Sequence, residues 1–270
     1  MNFKKIAAAL SIAGATVFCG TAFADPSITN LDGTKTPFGG FDWAQGSAAW
    51  TSGYVGSVGS TFTLYYAGWA TNVTDTGGNN MFTPHLDSVA NGVPEAPGMY
   101  EYTVFASFQE TVTACTADFS SCTFQITSGA FDIYYDTASN AKIVKNGAWS
   151  GFEDGTKLIS GNFNLAQTPQ LFNTSTGGQA NLNGVVTYTN TAYITPVLSG
   201  TNVTSTLQLG SAVTSFSAPT KVDATAIAAG QVVFQADANQ TFTAKVPEPA
   251  SLALVGLALG GLGFVARRRK

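Results

Sequence analysis

The sequence predicts an all-β fold, a single jelly-roll-like β-sandwich with one disulfide bond across a hairpin. Three observations support this prediction. Apolar and polar side chains alternate with a period of two along many short segments, as they do in strands that bury one face. Turn-forming pairs such as Asp154-Gly155 and Asn146-Gly147 separate these segments. Two cysteines, Cys115 and Cys122, lie in neighbouring β-patterned stretches.

The clearest strand is residues 100–108, where the even positions are Tyr, Tyr, Val, Ala and Phe and the odd positions are mostly polar. Residues 61–70 and 232–245 alternate in the same way, so each is expected to have one buried and one exposed face. Residues 222–229 have a weak helical pattern, and residues 84–97 are expected to form a long proline-rich loop. Further candidate strands are residues 124–135, 142–144, 157–165, 185–198 and 205–209.

Cys115 and Cys122 are expected to pair, because the ends of the chain predict export to an oxidising compartment. The alternative, a zinc site, is disfavoured because two thiols without a nearby histidine supply only half of the ligands. Direct pairing of the two cysteines would place Thr113 opposite Phe124 and so mix a polar face with an apolar one. A β-bulge is therefore expected near this turn.

Residues 1–24 have the three regions of a secretory signal peptide: Lys4 and Lys5, an apolar stretch, and small residues at Ala22 and Ala24. Cleavage is expected after Ala24. An uncleaved membrane anchor is the first alternative, and a short run before a small-residue site argues against it. The second alternative is a lipoprotein signal at Cys19, which the bulky neighbour Phe18 disfavours.

The chain ends with a second apolar segment, residues 250–266, which carries no charge. As a helix with a rise of 1.5 Å per residue it would reach about 25 Å, enough to cross a thin bilayer. Basic residues at the end, Arg267, Arg268, Arg269 and Lys270, would hold the terminus on the cytoplasmic side. A buried core helix is the alternative, but such a helix would be amphipathic and this segment is apolar all round.

Pro247-Glu248-Pro249, the apolar segment and the arginine cluster together resemble the PEP-CTERM sorting domain of Gram-negative bacteria that make exopolysaccharide. The resemblance covers roughly the last 25 residues. It implies transient insertion in the inner membrane and cleavage near the Pro-Glu-Pro motif by the membrane protease exosortase. The similar string at residues 93–97 is followed by neither an apolar segment nor basic residues, and it is expected to be part of a loop.

The two signals leave residues 25–246 as one extracytoplasmic domain. This body holds 15 acidic residues, six lysines and no arginine, a net charge of about −9. Such a surface argues against nucleic acid, phosphate and anionic lipid as partners.

Catalytic groups are scarce, so the protein is expected not to be an enzyme. The chain has one histidine, His85, which lies in the proline-rich loop, so a catalytic triad is disfavoured. Glu101 and Glu110 fall on opposite faces of a regular strand and cannot act as a glycosidase pair. Glu110 lies on the apolar parity, where it is either a buried acid of raised pKa or a sign that the strand bulges or ends.

No cofactor is expected, and calcium is the one metal considered. Residues 75–80 and 132–136 supply oxygen ligands that calcium accepts, but neither stretch has the spacing of an EF-hand. Turns are the favoured interpretation of both.

The tryptophans and one tyrosine could stack on sugar rings. Tyr65 and Trp69 share the outward parity of one strand and are the best such pair, although packing in the core or between sheets is the default expectation. The full aromatic set is Trp43, Trp50, Trp69, Trp149 and Tyr65.

The body also resembles the flocculation-associated PEP-CTERM proteins. Four stretches carry this resemblance, which are residues 37–50, 59–69, 100–112 and 131–161. It implies a protein exported by the Sec machinery, processed by exosortase, and secreted or held at the cell surface, where it promotes flocculation in a matrix of exopolysaccharide. A carbohydrate-binding module, with or without calcium, is the alternative function, and an enzyme acting on extracellular polysaccharide is the third.

Overall fold

The computed structural model describes residues 26–30, 33–117, 121–163, 170–173, 177–210 and 218–243. None of these residues forms a helix that is long and apolar enough to cross a membrane. The described strands, in chain order, are β1 (Ser27–Thr29), β2 (Lys35–Pro37), β3 (Gly40–Ser52), β4 (Thr61–Thr74), β5 (Asn80–Met81), β6 (Glu101–Cys115), β7 (Ser121–Asp136), β8 (Ala148–Trp149), β9 (Thr156–Phe163), β10 (Gln170–Asn173), β11 (Gly177–Thr189), β12 (Ile194–Thr195), β13 (Asn202–Leu209), β14 (Lys221–Val222), β15 (Thr225–Ala226) and β16 (Val233–Thr243).

The prediction of an all-β protein is confirmed, but the main sheet is a closed barrel and not a clear sandwich. Eight antiparallel strands pair in the order β11-β13-β16-β3-β4-β6-β7-β9, and β9 pairs with β11 to close the ring. The closing contact brings Asn162 opposite Val185. Alternation along a strand shows which face is buried, but it does not show whether the two edges of a sheet meet.

The barrel interior is filled by apolar side chains on the inward face of each strand. Aromatic side chains dominate the end where β6 begins, and the rings of Phe41 and Tyr102 lie 5.1 Å apart between their centroids. The small sheet of β12, β1 and β2 adds Ile28 and Ile194 to the same buried cluster. This end of the barrel is therefore closed by packed rings and aliphatic side chains.

A second buried cluster, here called the outer cluster, lies between the outside of the barrel and the segments that follow β5, β7 and β13. Its members are Ala44, Ala48, Trp50, Ala67, Trp69, Ala90, Ala141, Trp149, Phe152 and Val222. Trp50 and Trp149 are almost fully buried there. The default expectation for the tryptophans, burial by packing, therefore describes all four, including Trp43 in the barrel interior.

Two β-bulges between β6 and β7 reset the side-chain parity. Near the turn, Val112 pairs with Phe124 and Ala114 pairs with Thr123, so Thr113 is the extra residue. Further along, Gln109 pairs with Ser128 and Glu110 with Ile126, so Thr127 is extra on β7. The bulge expected near the turn is thus Thr113, and the second one was not anticipated.

Cys115 and Cys122 form the predicted disulfide, and they face each other directly in the register of β6 and β7. We call this end of the barrel the disulfide end.

Loss of the disulfide bond should lower the free energy of unfolding by about 2 to 3 kcal/mol, because the short loop constrains the unfolded chain. Urea unfolding of a Cys115→Ser, Cys122→Ser variant measures this. Dithiothreitol should lower the wild-type stability to that of the variant, and equal stability of wild type and variant would contradict the prediction.

Several predicted elements differ from the structure. The helical pattern of residues 222–229 is wrong, because this stretch holds parts of the short strands β14 and β15. Residues 142–144 contribute only isolated bridges at Lys142. The candidate strand 185–198 is divided in two, because β11 ends at Thr189 and the short strand β12 follows at Ile194–Thr195. Strand β3 was not predicted. Residues 84–97 form the expected loop, with isolated bridges at Leu86 and Asn91.

Candidate functional site

Tyr65 and Trp69 both point outward from β4, as their parity predicts, but they do not form an open platform. Trp69 is 7% exposed, and its indole N–H donates a hydrogen bond of 2.9 Å to the carbonyl of Ser88. The loop that carries Ser88 covers this part of the strand. Sequence periodicity identified the outward face correctly, but it could not show that a loop packs over it.

Tyr65 remains half-buried and stacks on Trp50, with ring centroids 5.4 Å apart and planes 18° from parallel. Phe105 on the neighbouring strand lies 6.0 Å from the same ring. Because the outer cluster holds the Tyr65 ring in a fixed orientation, little conformational freedom is left to lose when a ligand contacts it.

Tyr65 also borders a shallow concavity of about 690 Å³ on the outside of the barrel, here called the outer groove. The outer groove crosses β4, β6, β7 and β9. Its lining residues are Thr63, Tyr65, Ser107, Gln109, Ser128, Gly129, Ala130, Asn162 and Phe163.

Register explains why these residues meet. Tyr65 pairs with Ser107, Ser107 with Ala130, and Ala130 with Asn162, which makes one continuous row across four strands. The small side chains in the middle of the row leave the depression. Apart from Tyr65, no pattern in the sequence singles out these residues, because most are ordinary polar or small residues on the outward face of their own strands.

The described lining of the outer groove is uncharged and mixes polar with apolar groups. Its described lining residues present hydroxyls and the amides of Gln109 and Asn162, and both amides are exposed. Such groups donate and accept hydrogen bonds to hydroxyl-rich ligands without a charge requirement. Among the described residues we find one ion pair, in which Nζ of Lys157 lies 2.8 Å from Oδ2 of Asp132.

The two glutamates of β6 face different environments, as predicted. Glu101 faces the outer segments, where its Oε1 accepts hydrogen bonds from the backbone N–H groups of Asn140 and Ala141, both 2.8 Å long. Burial raises the pKa of Glu101 to about 7, although these two bonds act in the opposite direction. Glu110 points into the barrel and lines a cavity at the disulfide end. The two carboxyls therefore cannot flank one substrate bond.

The first calcium candidate, residues 75–80, is a tight turn. Oδ1 of Asp75 accepts hydrogen bonds from the backbone N–H groups of Gly77 and Asn79, each 2.8 Å long. Hydrogen bonds from Asn79 lower the pKa of Asp75.

The second candidate, residues 132–136, lies along β7. Asp132 pairs with Lys157, and Asp136 accepts a bond from the backbone N–H of Ala138. In the part of the chain that the structure describes, no three His, Cys, Asp or Glu side chains are grouped as metal ligands. His85 lies in the loop before β6, and its carbonyl accepts a hydrogen bond from the Tyr100 backbone N–H.

The predicted signals at the two ends of the chain lie outside the described residues. These are the signal peptide with Ala22 and Ala24, and the sorting tail with Pro247, Glu248, Pro249, Arg267, Arg268 and Arg269. The compact unit formed by the chain between them is Asp25–Ala244.

Comparison with known proteins identifies the tail. Residues 245–270 match the PEP-CTERM protein-sorting motif. No curated protein and no solved structure matches the chain. The motif match supports the predicted PEP-CTERM tail, and it indicates an exosortase-targeted protein that is secreted or displayed at the cell surface.

Proposed function

We propose that this protein works in the extracellular matrix of a Gram-negative bacterium, where it contacts exopolysaccharide and promotes flocculation and biofilm aggregation. The sorting motif at residues 245–270 is the observation that carries the proposal. In this proposal the Sec machinery exports the chain, exosortase cleaves it near Pro247-Glu248-Pro249, and the barrel is released from the inner membrane.

The body of the protein fits an assembly role better than a catalytic one. Its carboxyls at Glu101 and Glu110 lie apart, and its sole histidine is in a loop. Its negative charge favours solubility outside the cell and disfavours nucleic acid as a partner. We therefore propose a non-enzymatic role that needs no cofactor.

Removal of residues 247–270 tests the proposal in the producing strain. The truncated protein should be misrouted, and flocculation should weaken. Glu248→Gln is the sharper variant, because it should leave the unprocessed chain in the membrane. Glu95→Gln is its matched control, since Glu95 lies in the similar string at residues 93–97 and is exposed. Normal flocs from the truncated strain, or a processed mature chain in the Glu248→Gln strain, would overturn the proposal.

The second candidate function is carbohydrate binding, and the outer groove favours it. In this candidate the Tyr65 ring stacks on a sugar ring while Gln109 and Asn162 bond its hydroxyls. The groove crosses several strands, which suits a chain of sugar units better than a single one. Trp69 is not part of this surface, because Ser88 and the outer cluster cover it.

A Tyr65→Ala, Asn162→Ala variant should bind purified exopolysaccharide roughly thirtyfold more weakly, since each of the two contacts is worth about 1 kcal/mol. Affinity electrophoresis of the protein variants in gels that contain the polysaccharide measures the change in affinity. Tyr188→Ala, Asn202→Ala is the matched control, because both residues are exposed and lie outside the groove. Equal binding by both double variants would remove the outer groove as the site.

A further inference from the structure

The disulfide end of the barrel encloses a cavity that the proposed function does not use. Its volume is about 50 Å³, and seven barrel strands contribute to its wall. The side chains that define it are mainly aliphatic and aromatic, among them Leu64, Phe108, Ile126, Leu182, Leu207 and Phe234. The opposite end of the barrel, by contrast, is filled with packed rings.

This cavity is large enough for a small molecule. One water needs roughly 10 to 15 Å³ on this scale, so the space corresponds to several water-sized groups. Apolar cavities of this kind tend to stay dry and to accept small apolar molecules. At the rim, Gly178, Gln179 and Leu209 are half-buried or exposed, which leaves an approach from solvent among the described residues.

Glu110 is the one acidic side chain among the described residues of this wall. Its side chain is 7% exposed, and its register neighbours on the two adjacent strands are Phe62 and Ile126. We find no hydrogen bond or ion pair from any described residue to its carboxyl. A buried polar group without a partner is costly, so an unpaired carboxyl that faces an open space suggests a ligand that supplies the partner.

The surroundings of Glu110 select the type of partner. Tyr54 is the only other titratable side chain among the described cavity residues, and no basic side chain lines the wall. Burial raises the pKa of Glu110 to about 8. At neutral pH the carboxyl is therefore mostly protonated, and it can donate its O–H.

We propose that the disulfide end of the barrel binds a small, neutral, mainly apolar molecule whose single oxygen accepts a hydrogen bond from the Glu110 carboxyl. The apolar wall holds the body of this molecule, and Glu110 orients its oxygen. The site is separate from the outer groove, so it stands or falls independently of polysaccharide binding.

The experiment compares three probes of similar size, which are cyclopentanone, cyclopentane and cyclopentylamine. Ligand-observed NMR with the protein purified from the producing cells measures their affinities at pH 7. We expect cyclopentanone to bind the wild type and to bind Glu110→Leu roughly tenfold more weakly, the effect of one lost hydrogen bond. Cyclopentane should bind both proteins alike.

Glu110→Gln keeps a donor in the same place, so it should bind cyclopentanone within about twofold of the wild type. This variant also keeps the test decisive if Glu110→Leu does not fold, because cyclopentanone should then still bind Glu110→Gln better than cyclopentane does. The proposal is overturned if the wild type does not bind cyclopentanone, if Glu110→Leu binds it as well as the wild type, or if cyclopentylamine is the preferred probe.

Discussion

Replacement of Glu101 with alanine should lower the free energy of unfolding by about 3 to 5 kcal/mol. Glu101 is 2% exposed, and its Oε1 is the shared acceptor for the backbone N–H groups of Asn140 and Ala141. Without that oxygen both donors lose their partner, Ala141 in a buried position and Asn140 in a half-buried one. An unsatisfied buried donor costs about 1 to 3 kcal/mol. Urea unfolding at pH 6 measures the change.

Glu101→Gln is the matched control for this prediction, because it keeps a side-chain oxygen at the same position. It should cost only about 1 kcal/mol. If the alanine variant is as stable as the glutamine variant, the two hydrogen bonds do not hold the segment after β7 against the barrel.

Glu110→Gln should have the opposite effect and stabilise the protein by on the order of 3 kcal/mol at pH 7. Burial raises the pKa of Glu110 from 4.5 to about 8. The native state therefore binds the proton more tightly than the unfolded state does, and wild-type stability falls as the pH rises from about 4.5 to about 8. Glutamine has no proton to lose, so its stability lacks this dependence.

Unfolding curves at pH 4.5, 6 and 8 test the sign as well as the size. The difference between Glu110→Gln and the wild type should be small at pH 4.5 and should grow until about pH 8. Glu101 also has a raised pKa, but it is present in both proteins and its contribution cancels. Glu95→Gln, on an exposed loop, should stay within about 0.5 kcal/mol of the wild type throughout. A difference that is the same at all three pH values would show that Glu110 is not buried as a neutral acid.

The environment of Glu110 could be predicted only in part from the sequence. Its parity on β6 predicted an acid on the apolar face, and a bulge or strand end was the competing explanation. The structure contains both features, since Glu110 is buried and a bulge lies beside it. The extra residue of that bulge is Thr127 on the partner strand, so β6 keeps its alternation and carries Glu110 inward. A β-bulge in one strand cannot be predicted from the side-chain alternation of the strand that pairs with it.

Properties that depend on neighbours along the chain could be predicted from the amino-acid sequence. These are several of the long strands with their buried faces, the hairpin that joins Cys115 to Cys122, the need for a bulge near its turn, and the order of motif, apolar segment and arginines in the tail. Period-two alternation, turn chemistry and motif spacing are all local signals, so each can be found without knowing the fold.

Other features could not be predicted in this way. These are the closure of the barrel, the burial of Trp69 under the Ser88 loop, and the assembly of the outer groove and the cavity. Each of these depends on residues that are distant in sequence, such as Asn162 and Val185 in the closing pair of strands. Alternation is the same in an open sheet and in a closed one, because it reports only the two faces of a strand. Barrel closure depends on which edge strands pair, and the burial of Trp69 depends on where a loop packs. Both depend on contacts between residues that are distant in the sequence.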